Sequence, residues 1–218
     1  MPCRGCPGRT GRAALNDSEK SAFLSARCGK LTASRMHQAL DMTSKGAEGA
    51  KRRALKYEIL AERITGDAVP HHVNSFMQWG LDQEPAAKAA FELATGRLIA
   101  PCGTIDHPEI DFFAATPDGF LPGGVIEFKC PQTTTHVSWL LAGGVPDQHK
   151  PQILAQLACS GREHAVFVSY DPRVRDPRKQ LHIVEWTPKR EEVEEIEEHA
   201  RKFLAEVEAM FEQLTEKA

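Results

Sequence analysis

The chain has 218 residues, 41% apolar and 26% charged, which suits one ordinary domain with a full core and excludes a disordered or low-complexity protein. No apolar run approaches the ~18 residues of a membrane span, and the N-terminus lacks the apolar stretch of a secretory signal, so a cytoplasmic protein with no membrane partner is expected. The net charge of −3 hides an asymmetry: residues 1–63 carry 13 Lys/Arg against 6 Asp/Glu and can attract a polyanion, whereas residues 189–218 carry 5 against 10.

Residues 1–16, rich in Gly, Pro and Arg, read as a flexible basic arm, and residues 17–218 as one domain. Ser18 can cap a first helix bearing Phe23, Leu24 and Arg27. Thr32 stands as an N-cap before a second short helix, ASRMHQAL. Leu55, Ile59, Leu60 and Ile64 recur at helical spacing within 47–65. A further helix over 75–96 closes on Gly96, a residue suited to the left-handed cap. The period then changes. Segments 97–105, 112–115, 125–129, 165–170 and 180–186 are short, rich in β-branched or aromatic residues and mostly bounded by Gly or Pro, which predicts five strands. Helices near 134–142 and 151–160 interrupt them. The last helix, 189–216, carries an apolar stripe through Val193, Ile196, Ala200, Phe203, Leu204, Val207, Phe211 and Leu214, with its Glu-rich face toward water. Helices, a small mixed sheet with an inserted helix pair, and a long closing helix make an α/β (α+β) architecture.

The chemistry concentrates in ATPDGFLPGGVIEFKCP. Asp118 lies in a Pro-Asp-Gly turn between two strands. Glu127 and Lys129, two apart on the next strand, share a face while Phe128 points into the core. Hairpin pairing brings Asp118 beside Glu127, giving two carboxylates and an ammonium around one small volume. Hydrolysis of a phosphodiester uses such a set: hard oxygens hold Mg²⁺, the metal polarises the phosphoryl group, and a lysine offsets developing charge. A surface Asp turn beside an ordinary strand salt bridge is the plain alternative for these three residues alone. Glu84, four residues after Gly80 on the 75–96 helix, could reach the same volume from the helix side. Gln152 follows Pro151 in the first turn of its helix and shares a face with Gln156.

Taken in order, ARCGKLTASR, WGLDQEPAA, TPDG, IEFKCP, HKPQILAQLACSGRE and VSYDPR resemble the YqaJ-type viral recombinases, the lambda-exonuclease-like branch of the PD-(D/E)xK nucleases. The resemblance spans roughly residues 20–187. It implies a restriction-endonuclease-like core, a central mixed sheet of about five strands flanked by helices. The implied activity is processive, Mg²⁺-dependent 5′→3′ digestion of one strand of duplex DNA, leaving a 3′ single strand for a strand-annealing partner. On this chain it implies Asp118, Glu127, the Phe128 carbonyl and Glu84 at the metal, and Lys129 as the catalytic lysine. Gln152 matches the glutamine of the catalytic set, and Arg27 and Ser34 the contacts to the 5′-phosphate. Mn²⁺ is expected to substitute for Mg²⁺, and a homotrimer is the implied assembly. An arginine suits the phosphate role because its planar fork grips phosphate bidentately.

Two other readings share this core: an endonuclease specific for a site or structure, and an inactive DNA-binding copy. The second conflicts with a complete set of Asp118, Glu127, Lys129 and Glu84. Cys3 and Cys6 have no second pair to complete a zinc site, and no cysteine trio follows Cys159, so neither zinc nor an iron–sulfur cluster is expected. The six scattered cysteines suggest no disulfide framework. Cys130, Phe112 and Phe113 read as packing, His71 and His72 as surface, and Tyr170–Arg173 as a structural turn. Lys51, Arg52 and Arg53 read equally as phosphate contacts or as solvated charge.

Overall fold

A computed structural model describes residues 17–70 and 74–216. The basic arm with Cys3 and Cys6, and the pair His71 and His72, lie outside the described residues. In chain order the elements are α1 (Asp17–Ser25), β1 (Leu31–Thr32), a 3₁₀ turn at Ala33–Arg35, α2 (Met36–Ala39), α3 (Ala50–Thr65) and α4 (Ser75–Thr95). β2 (Ile105–Asp106), β3 (Phe113–Ala115), β4 (Gly119–Leu121), β5 (Gly124–Lys129) and α5 (Thr133–Ala142) follow. The chain ends with α6 (Lys150–Ser160), β6 (His164–Tyr170), β7 (Leu181–Trp186) and α7 (Arg190–Thr215). A mixed α/β architecture with a long closing helix is therefore present, as expected.

The strands differ from expectation in their grouping. Instead of one sheet of about five strands there is a four-stranded sheet, β4-β5-β6-β7, and a three-stranded one, β1-β3-β2. β5 runs antiparallel to β4 and parallel to β6, and β7 returns antiparallel to β6. β1 and β4, with two and three residues, are too short to show alternation. The segment 97–105 is mostly irregular: Ala100 makes a single bridge to Phe120, and strand begins only at Ile105.

Helix boundaries follow local chemistry. Asn74 caps α4 by accepting the Met77 N–H at 2.9 Å, and Gly96 ends it at φ 68°. Thr32 precedes the 3₁₀ turn but its side chain makes no cap bond there. β5 is buried on both faces. Ile126 and Phe128 pack with Ala87 and Phe91 of α4, and Val125 joins the core of α6 and α7 on the other side. The stripe of α7 buries Val193, Ile196, Ala200, Phe203, Leu204 and Val207.

The acidic face of α7 is only partly a solvated surface. Glu206 binds Arg52 at 2.7 Å and Lys56 at 3.1 Å, and Glu208 binds Arg63 at 2.7 Å. Basic α3 and acidic α7 thus offset each other's charge. Arg52 is buried, donates to the Ala39 carbonyl and lies 5.0 Å over the Phe203 ring, whereas Lys51 and Arg53 are exposed. Among the described residues no helix is long and apolar enough to cross a membrane.

Candidate active site

The hairpin of β4 and β5 sets the site. Gly119 lets the turn press against the 99–100 segment: a Cβ there would stand 2.2 Å from Ile99 Cγ2 and 3.0 Å from the Ala100 carbonyl oxygen. The Asp118 N–H donates to the Ile126 carbonyl at 3.1 Å, and Asp118 Oδ2 accepts the Phe128 N–H at 2.8 Å. The aspartate is thereby fixed against β5, next to Glu127.

Glu127 is 3% exposed, and a carboxylate at that depth requires donors. Its Oε1 accepts from Lys129 Nζ and, at 2.6 Å, from Gln152 Nε2. Its Oε2 accepts from Gln156 Nε2 at 2.6 Å. Lys129 Nζ also reaches Gln152 Oε1 at 3.3 Å. Strand alternation aligns Glu127 and Lys129, and the i, i+4 spacing of α6 aligns the two glutamines opposite them. The sequence sets Gln156 on one helix face with Gln152, where a neutral amide can hold a water or a phosphate; in the structure Gln156 is fully buried, and its Oε1 has no hydrogen-bond partner.

Glu84 is buried on α4 and pairs with Lys88 at 2.9 Å. The Cys130 thiol links this side to the hairpin. Burial, then the negative charges of Glu84 and Asp118, push it up to about 12, against an opposing effect of Lys129. A thiol so protonated is poorly nucleophilic, which agrees with the packing role expected for Cys130. Among the described residues no three His, Cys, Asp or Glu groups converge as a closed metal cage. Glu84 and Asp118 both act on the Cys130 thiol, and the direct partner of Glu84 is Lys88.

Arg27 and Ser34 come together. Arg27 donates to Ser34 Oγ at 3.1 Å, Thr32 Oγ1 at 3.2 Å and Thr116 Oγ1 at 3.0 Å, and lies 4.9 Å over the Phe23 ring. Thr104 Oγ1 stands 3.0 Å from Thr116 Oγ1. Thr116 sits two residues before Asp118, so it ties the arginine cluster to the hairpin. Its place in TPDG was a visible signal, but only the aspartate was read from it.

His149, at the entry to α6, also went unread. Its ring stacks on Phe167 at 5.6 Å and meets Trp139 edge-on at 5.2 Å. Burial, with the nearby Lys129 charge next in weight, lowers it to about 4, so it is neutral at physiological pH. Phe112 corrects a packing expectation: Phe113 is fully buried, but Phe112 is 47% exposed at φ 60°. In the 170–173 turn Asp171 pairs with Arg173 at 2.8 Å, and Arg173 lies 4.3 Å over Trp79.

Residues 22–163 match the YqaJ-like viral recombinase domain. The chain is similar to an alkaline exonuclease, LHK-Exo, from Laribacter hongkongensis, at 37% identity and a TM-score of 0.82 over 90% of this chain and 96% of that one. A structure of LHK-Exo in complex with dAMP matches at 36% identity and a TM-score of 0.83, with the same coverage. A phage-related exonuclease from Haemophilus somnus 129PT, at 15% identity, a TM-score of 0.60 and coverage of 86% and 96%, shares the fold. Comparison with curated proteins gives no match.

Proposed function

The chain belongs to the YqaJ-like viral recombinase family, and from that premise we propose that it is a metal-dependent DNA exonuclease that removes nucleotides from the 5′ strand of duplex ends. The observation that carries this reading is the Asp118–Glu127–Lys129 group, fastened by Gln152 and Gln156 on a fold similar to that of LHK-Exo.

The donor set fits a hard divalent cation. Asp118, Glu127, Glu84 and the Phe128 carbonyl offer only oxygens, and the N–H donors of Lys129 and the two glutamines orient Glu127. Those oxygens would hold Mg²⁺, or Mn²⁺ in its place, and the ion would supply Lewis-acid polarisation of the scissile phosphate. Lys129 offsets charge that develops on the phosphate and orients the attacking water. Gln152, bonded to both Glu127 and Lys129, holds the two in register. Arg27 and Ser34 grip the 5′-phosphate and so align the strand end. Contacts of this kind read the backbone and leave base edges unread. LHK-Exo is known in complex with dAMP, and a mononucleotide is the product that stepwise removal would release here. A homotrimer acting in the cytoplasm, with a single-strand annealing protein taking the 3′ overhang, completes the reading.

The test uses linear duplexes labelled at the 5′ or the 3′ end, beside a closed circle, with Mg²⁺. Early release of label as mononucleotide from the 5′ end, with the circle intact, is expected. Cutting of the circle would move the function to an endonuclease, and an intact linear duplex with either Mg²⁺ or Mn²⁺ would refute the activity.

A further inference from the structure

The loop that carries Arg27 is fastened from behind by the last turn of α3. Glu62, 3% exposed, accepts the Gly29 N–H at 2.9 Å and the Val69 N–H at 3.3 Å, and stands 3.7 Å from the Arg35 guanidinium. Its neighbour Arg63 donates from Nε to the Gly29 carbonyl at 3.0 Å. Gly29 is therefore held on both sides of its Cα by consecutive residues of one helix. The Cys28 thiol adds a 3.7 Å contact to the Glu62 carbonyl.

Contact between loop and helix is direct. Gly29 takes φ 70°, and a Cβ there would stand 2.9 Å from Arg63 Cγ. Arg63 is itself locked, with its guanidinium 3.9 Å over the Phe112 ring and 2.7 Å from Glu208 of α7. The left-handed Phe112 gives its carbonyl to the Leu31 N–H at 2.8 Å. Burying a carboxylate is costly unless it is fully engaged, and Glu62 directs its engagement at the backbone next to Arg27.

We propose that Glu62, acting with Arg63, is a positioning residue for recognition of the 5′-phosphate. It fixes the Cys28–Gly29 backbone so that the Arg27 guanidinium enters the hydroxyls of Thr32, Ser34 and Thr116 at one depth. The proposal rests on the reading that Arg27 and Ser34 bind that phosphate. A bidentate grip depends on sub-ångström placement, so loosening the loop weakens it without removing the arginine.

The experiment compares kcat and KM of the full chain with Mg²⁺ on two duplexes of one sequence, ending in a 5′-phosphate or a 5′-hydroxyl. Four proteins are measured: the parent, Arg27→Ala, Glu62→Gln and Arg63→Lys. Arg63→Lys keeps the positive charge for Glu208 but removes the Nε donor, and it decides the matter if Glu62→Gln does not fold. For Glu62→Gln and Arg63→Lys, KM for the phosphorylated end should rise about tenfold or more. The 5′-hydroxyl substrate should change by less than about twofold, so the preference for phosphate collapses. Equal loss on both ends, or an unchanged preference in both variants, would overturn the positioning role. In that case a parent preference that Arg27→Ala abolishes would leave the phosphate reading standing. A parent indifferent to its end group would remove that reading, and the proposal with it.

Discussion

Replacing Gln156 with Met separates positioning from stability. Gln156 is fully buried, so it acts through Glu127, whose Oε2 accepts from it at 2.6 Å. Met keeps the volume and removes the amide. Loss of a hydrogen bond to a buried carboxylate costs about 1.5–3 kcal/mol. The same change removes a buried Gln156 Oε1 that has no partner, and relief of an unsatisfied acceptor returns about 1–3 kcal/mol. The two nearly cancel, so the unfolding midpoint should move by less than about 4 °C for a chain of this size. Activity has no such compensation. If about 2 kcal/mol of placement is lost at the transition state, kcat falls roughly thirtyfold. Steady-state digestion of a linear duplex with Mg²⁺, beside a thermal melt, measures both. Activity within about twofold of the parent at an unchanged melting temperature would refute the idea that Gln156 holds Glu127 for catalysis.

Two other outcomes follow from the geometry. His149, lowered to about 4 from the ordinary 6.5 by burial and then by Lys129, binds fewer protons folded than unfolded between those values. The contribution of His149 to stability is thus fully present above pH 6.5 and declines toward pH 4 by roughly 3 kcal/mol. His149→Phe, which keeps the stack on Phe167, should flatten that part of the urea-midpoint profile relative to the parent; parallel profiles would contradict it. Gly119→Ala places a methyl against Ile99 and the Ala100 carbonyl, and should destabilise by about 1–3 kcal/mol in denaturant unfolding. An unchanged midpoint would mean that the 99–100 segment yields without cost.

The sequence was most legible where one element carried the whole signal. Gly96 ends α4, and the stripe from Val193 to Val207 marks α7, because a glycine cap and the helical period are local. β5, β6 and β7 were readable as strands, and the adjacency of Asp118 to Glu127 followed from hairpin pairing alone. The division into two sheets was not, since Ala114 pairs with nearby Asp106 on one side but with Thr32, from the far N-terminal part of the chain, on the other. For the same reason, a pair of glutamines was visible on α6, but the rotation that turns Gln156 onto Glu127 is set by packing. Arg27 and Ser34 were identified together through a family resemblance. That Thr116 joins them, and that Glu62 and Arg63 clamp Gly29, depends on contacts between residues 33 to 89 positions apart.

The central claim is that Asp118, Glu127 and Lys129 form a nuclease centre. Digestion of a linear duplex with Mg²⁺ by the parent and by Lys129→Ala, each checked for an intact fold by its melting curve, tests it most directly. The account predicts that the parent degrades the duplex, that a chelator stops it, and that the folded variant is silent. A folded Lys129→Ala protein that digests the duplex at the parent rate would contradict it.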